Sequence, residues 1–208
     1  GRGWWESLGW KYYSDLRGTG NLVGGATQKI GDQGSSAKLM TYFTPGEAYR
    51  VGDIWLKVGR YGHPGDALKV DLCANNGGAP GAVLSSVTLA GALVPDSITW
   101  TRFSLGGGYN LAANTAYFIQ VSRTGGLDAG NYYTLSVDES LSYGGAGMWL
   151  WNGSGWVGRA PDADLGFQVI GTDESTAQIK RLLMGCGQFL NGVRIEISSG
   201  VWSRCYQD

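Results

Sequence analysis

Three tryptophans crowd one short segment, Tyr143-Gly-Gly-Ala-Gly-Met-Trp149-Leu-Trp151-Asn152-Gly153-Ser154-Gly155-Trp156. Trp149 and Trp151 stand two apart, so on a strand they share one face. Asn152-Gly153 is a strong hairpin signal, and Trp156 then opens the return strand. Indole rings are flat and apolar, and the C–H faces of sugar rings stack on such surfaces. Asn152, Arg159 and Asp162 nearby would supply donors and acceptors for hydroxyl groups. The expected ligand-binding set is therefore Trp149, Trp151 and Trp156 as stacking residues, with Tyr143 and Arg159 at the rim. Two other roles stay open: the same aromatics filling a core or covering a sheet edge, and a protein interface. Asn152-Gly153-Ser154 also fits the N-glycosylation pattern, but the turn accounts for it better.

Bond-making chemistry finds less support. His63 is the one histidine, set in the tight turn Tyr61-Gly62-His63-Pro64-Gly65, and no Gly-x-Ser-x-Gly elbow is present. It reads as a turn histidine. Glycoside hydrolysis needs two carboxylates about 5–9 Å apart across a cleft. Asp162 with Asp164, and Asp138 with Glu139, are the candidate pairs, and they read as loop-holding acceptors of backbone N–H groups or as solvated carboxylates. Asp162 and Asp164 would also suit a structural calcium. Cys73, Cys186 and Cys205 match no zinc pattern and form no disulfide framework. Whether Cys186 and Cys205 are bonded stays open, and Cys73 is a lone thiol with no base beside it. The expectation is a protein that is not an enzyme, with no catalytic residues, no catalytic metal, and no cofactor beyond that calcium.

The elements that carry these residues follow from composition and period. Of 208 residues, 36 are glycine and only 16% are charged, while 43% are hydrophobic. Interior glycine costs a helix about 1 kcal/mol relative to alanine, so short strands with tight turns fit better. A net charge of −1 with no basic cluster argues against nucleic acid. No apolar run reaches the ~18 residues of a membrane span.

Residues 37–171 alternate with period two. Ile54-Trp55-Leu56-Lys57-Val58, Leu68-Lys69-Val70-Asp71-Leu72, Tyr117-Phe118-Ile119-Gln120-Val121 and Leu165-Gly166-Phe167-Gln168-Val169 are the clearest strands. Turn signals at His63-Pro64-Gly65, Asn76-Gly77-Gly78, Pro80-Gly81, Gly106-Gly107-Gly108 and Asn152-Gly153 separate the runs. About eight strands at this spacing predict a mainly β, antiparallel sandwich or barrel.

Residues 1–36 show no period and read as an irregular arm. Its Trp4, Trp5, Trp10, Tyr12 and Tyr13 are too apolar for a solvated linker, so they are expected at an interface. Residues 172–208 change character again. Ser175-Thr176-Ala177-Gln178 fits a capping box, and Ile179, Leu182, Leu183, Cys186 and Leu190 follow helical spacing. Val193–Ile197 and Val201–Tyr206, joined by Ser198-Ser199-Gly200, predict a hairpin. One short helix and a β-hairpin cannot bury a core alone, so this piece is expected to be part of an incomplete second domain. With neither an initiator Met nor a signal peptide, the chain reads as a processed product or an excised fragment.

The middle stretch resembles a known family in Gly62-His63-Pro64-Gly65-Asp66-Ala67-Leu68-Lys69-Val70, Ala79-Pro80-Gly81-Ala82-Val83-Leu84, Trp100-Thr101-Arg102-Phe103, Leu111–Phe118 and Asp162-Ala163-Asp164-Leu165-Gly166-Phe167-Gln168-Val169. It is similar to the jelly-roll modules of the galactose-binding-like and "choice-of-anchor" kind. These occur in secreted, surface and phage structural proteins, and they include sugar binders as well as modules with no known ligand. The resemblance implies a jelly-roll fold and carries no binding residue across. The tail from Ser175 to Glu196 is faintly similar to segments of phage tail or hub proteins. The expected role is a non-catalytic adhesion or carbohydrate-binding-like module of a larger extracellular or virion structural protein. Its partners would be a glycan or cell-surface polymer and the subunits of a larger assembly. The alternatives are a purely structural subunit-assembly module and a glycoside-active enzyme.

Overall fold

The computed structural model describes residues 18–22, 24–140, 147–159 and 163–171, together with the strand backbone of 193–194, 197–198, 201–202 and 206–207. The chain divides into two units, one spanning Arg17–Thr172 and the other combining Gly1–Leu16 with Asp173–Asp208.

The larger unit is built from strands β1 (Gly18–Asn21), β2 (Ala26–Ile30), β3 (Lys38–Phe43), β4 (Tyr49–Tyr61), β5 (Ala67–Asn76), β6 (Ala79–Ala90), β7 (Thr99–Leu111), β8 (Tyr117–Arg123), β9 (Tyr132–Asp138), β10 (Met148–Trp151), β11 (Trp156–Gly158), β12 (Asp164–Leu165) and β13 (Phe167–Gly171). All pairings are antiparallel. A seven-stranded sheet runs β1-β13-β4-β9-β12, with β2 on β9 and β7 on β4. A six-stranded sheet runs β11-β10-β3-β8-β5-β6. The mainly β, two-sheet architecture is the one the alternation predicts.

That alternation also sets the core. Ile54, Leu56 and Val58 of β4 and Leu68, Val70 and Leu72 of β5 are completely buried, with Trp55, Lys57 and Lys69 turned outward. Phe43, Phe103, Phe167, Ile119, Tyr133 and Leu135 join them from both sheets. Each such side chain contributes roughly 2 kcal/mol by leaving water.

The structure departs from the sequence expectation in strand number, with eleven described strands (β3–β13) in residues 37–171 where about eight are expected, and in three further places. Gly18–Asn21 and Ala26–Ile30 are not irregular, because β1 and β2 are full members of the seven-stranded sheet. Glycine hid β1: at Gly20 an added Cβ would lie 2.4 Å from the Phe167 carbonyl oxygen, so only glycine lets this strand lie against β13. Gly106-Gly107-Gly108 does not end a strand. It forms an irregularity inside β7, where Gly106 and Gly108 have positive φ and the Arg50 guanidinium donates to the Gly107 carbonyl. Pro80-Gly81 lies in β6 rather than in a turn, since the β5–β6 turn is made by Gly77 and Gly78, both at positive φ, as a two-residue turn of the primed kind requires.

In the second unit, β14 (Val193–Arg194) pairs with β17 (Tyr206–Gln207) and β15 (Ile197–Ser198) with β16 (Val201–Trp202). The pairs are nested, as a hairpin over these residues requires. The helix expected from Ser175 onward lies outside the described residues, and so do Trp4, Trp5, Trp10, Tyr12, Tyr13 and Tyr143.

Candidate functional site: the outer face of the six-stranded sheet

Register, more than sequence proximity, assembles this face. One row of directly opposed residues crosses all six strands: Trp156, Trp151, Lys38, Ser122, Lys69 and Thr88. The next row is Gly158, Trp149, Met40, Gln120, Asp71 and Ser86. A shorter third row holds Tyr42, Phe118, Cys73 and Val83. Directly opposed side chains lie ~5 Å apart and touch. The face is therefore aromatic at its β11-β10-β3 end and polar at its β8-β5-β6 end.

At the aromatic end, Trp149 and Trp151 share one face, as their spacing predicts, and Trp156 joins it through its register opposite Trp151. Met148 and Leu150, which alternate with the first two, point into the core. Trp151 and Trp156 meet edge to face at 5.5 Å, and the Lys38 ammonium lies 5.8 Å from the Trp151 ring centroid. Tyr42 lies 5.8 Å from Trp149 and 6.0 Å from Phe118. Met40, Cys73 and Phe118 are buried beneath, with Tyr42, Trp149 and Trp156 half-buried over them. The rings thus rest on their own small apolar cluster while keeping part of their surface in water. The β10–β11 loop fixes their angle: the Asn152 carboxamide oxygen accepts from the N–H groups of Ser154 and Gly155, at 3.0 and 2.9 Å.

The polar end centres on Asp71, a buried carboxylate that accepts from the Ser86 hydroxyl at 2.5 Å and pairs with the Lys69 ammonium at 2.9 Å. Burial, followed by the charge of Asp71, pushes the Cys73 thiol up to about 11, so it offers no nucleophile at neutral pH.

Arg159 does not join the aromatic rim. Its guanidinium donates to the Gln28 side chain at 3.0 Å and to the Glu139 carboxylate at 2.7 Å. Asp138 accepts from the backbone N–H and hydroxyl of Ser140, and stands opposite Asp164 across the β9–β12 pair. Asp162 lies outside the described residues. Among the described residues, no three or more His, Cys, Asp or Glu side chains gather in a way that could hold a metal ion. No helix among them is long and apolar enough to cross a membrane.

Sequence reasoning missed two features. Tyr42 and Lys38 join the aromatic face from β3, which pairs with β10, and Phe118 joins it from β8, which pairs with β3, all through long-range register. The second is Asp66, in the turn valued only for its Pro and Gly. Arg123 grips it with two parallel bonds of 2.7 and 2.8 Å, and the Gly125 N–H adds a third at 2.7 Å. Its backbone carbonyl accepts from the Gly91 N–H and the Tyr133 hydroxyl, each at 2.8 Å. Burial alone would raise the Asp66 pKa, but the Arg123 and Gly125 bonds outweigh it and hold the carboxyl below its usual range. His63 is exposed in this turn, and its backbone N–H donates to Asn131. The network ties the turn to β8, β9 and the loop after β6.

Trp55 and Trp100 lie on the outer face of the other sheet. There the Lys57 ammonium sits 5.2 Å over the Trp100 ring, and Arg102 pairs with Asp53 at 2.9 Å. Charged side chains thus interleave with those two rings, whereas the β10–β11 rings adjoin one another.

Comparison with protein-family models finds no match. Comparison with curated proteins finds no match either.

Proposed function

We propose that this chain is a non-catalytic adhesion module that binds a glycan or cell-surface polymer across the outer face of its six-stranded sheet. The observation that supports the reading is the gathering of Trp149, Trp151, Trp156 and Tyr42, each partly exposed, on one face that continues into hydroxyl, amide and ammonium groups. Sugars present apolar C–H faces and polar edges together, and this face offers a surface for each. The finer reading of the fold is a jelly roll, and of the context a larger extracellular or virion structural protein whose other subunits are further partners. Affinity electrophoresis of the full chain through gels containing a panel of neutral and acidic polysaccharides tests the binding. Retardation by at least one polymer, relieved by free oligosaccharide, is expected. Unretarded migration in every gel would remove the reading.

A further inference from the structure

A sheet edge is a row of unpaired N–H and C=O groups, and natural proteins shorten, bend or charge their edges to prevent pairing with other chains. Most edges of this sandwich follow that rule. β1 spans four residues, two of them glycine; β11 spans three and β12 two; β2 carries Lys29. β7 is long but carries Arg102 and the glycine irregularity at Gly106–Gly108.

β6 breaks the rule. It spans twelve residues and, among the described residues, pairs with β5 alone. No charged residue occurs between Asp71 and Asp96, so the whole strand is uncharged. Its register shifts against β5 are confined to the part facing Leu72–Asn75, which leaves Ser85–Ala90 regular and free of Pro and Gly. Ser86, Thr88 and Ala90 are exposed, and so is Val83.

We propose that β6 pairs antiparallel with β6 of a second copy of this chain, centred on Val87, and so continues the six-stranded sheet across a two-fold axis. The sequence is self-complementary in this register. Val87 meets Val87, both facing the core side, and Ser85 meets Leu89. On the outer side Ser86 meets Thr88, a hydroxyl pair of the kind that favours cross-strand contact. Without charge on the strand, no like-charge repulsion opposes the symmetric contact, and a two-fold interface requires that self-compatibility. This inference does not depend on glycan binding.

Sedimentation of the full chain over a range of concentrations tests it, together with Thr88→Glu. Within one chain the new carboxylate stands opposite Lys69, so the monomer fold tolerates it. Across the axis each new carboxylate stands opposite Ser86 of the other copy, and the two carboxylates face each other on the diagonal, roughly 7–8 Å apart along the backbone and within reach of long side chains. A wild-type dimer whose dissociation constant rises at least ~10-fold in the variant is expected. In the wild type alone, hydrogen exchange at Ser85–Ala90 should slow with rising protein concentration, which serves even if the variant fails to fold. A monomer at every concentration, a dimer indifferent to Thr88→Glu, or concentration-dependent protection confined to other strands would overturn the proposal.

Discussion

Trp151 and Trp156 stand directly opposite each other across the β10–β11 pair, their ring centroids 5.5 Å apart and their planes at 71°. Edge-to-face geometry holds each indole without stacking it flat on the other, which leaves ring faces available to a third partner. Both rings are half-buried and lie outside the main core. Removing one should therefore alter the face far more than the fold.

Replacing Trp156 by Ala is expected to weaken polymer retention at least ~10-fold while destabilising the fold by about 2–3 kcal/mol, the aromatic pair plus the apolar area it buries over Met40, Cys73 and Phe118. Thermal unfolding and affinity electrophoresis on the same preparation separate the two effects. Phe103→Ala, by contrast, empties a core site and should cost about 3–5 kcal/mol.

Asp66→Asn leaves the buried Arg123 guanidinium without its counter-charge. It should cost about 3 kcal/mol in urea unfolding at neutral pH. The pH dependence follows from the lowered Asp66 pKa. The native state favours the carboxylate, so this stabilisation is fully present above the unfolded value of about 3.9 and is lost as pH falls through the lower native value. The gap between wild type and variant should close in acid.

Tyr133 gives the opposite limb. Burial, followed by the charge of Asp66, pushes its phenol up to about 12. The native state therefore keeps its proton longer than the unfolded chain, and stability falls as pH rises from about 10 to about 12. Tyr133→Phe should remove that loss. It should cost about 1 kcal/mol at neutral pH, because its hydroxyl bonds the Asp66 carbonyl.

Gly91→Ala should destabilise by about 2 kcal/mol or more. Its Cβ would lie 2.4 Å from the Pro64 carbonyl oxygen and 2.5 Å from that of Asp66, and both are backbone atoms of the tied turn. Gly107→Ala meets nothing within 4 Å and should stay within about 0.5 kcal/mol of wild type. Chemical denaturation of the two variants side by side checks the contrast.

Much of the sandwich is legible in the sequence, because β4, β5 and β8 each bury alternate aliphatic residues and period two survives in the string of letters. The common face of Trp149 and Trp151 is legible for the same reason. Tyr42 and Lys38 are not, since their place beside the tryptophans depends on β3 pairing with β10 over about a hundred residues of chain. β1 escapes notice because glycine, which normally weakens strands, is here what allows close approach to β13. Arg159 sits one residue past β11 and turns toward Gln28 and Glu139, away from the rim where sequence proximity to Trp156 places it.

The most direct test of the adhesion reading is a glycan and polysaccharide array probed with the full chain and with Trp151→Ala, both shown to be folded by thermal unfolding. The face described above predicts that the wild type binds at least one carbohydrate and that the variant binds it at least ~10-fold more weakly. Silence of the wild type across the array, or equal binding by the two proteins, would contradict it.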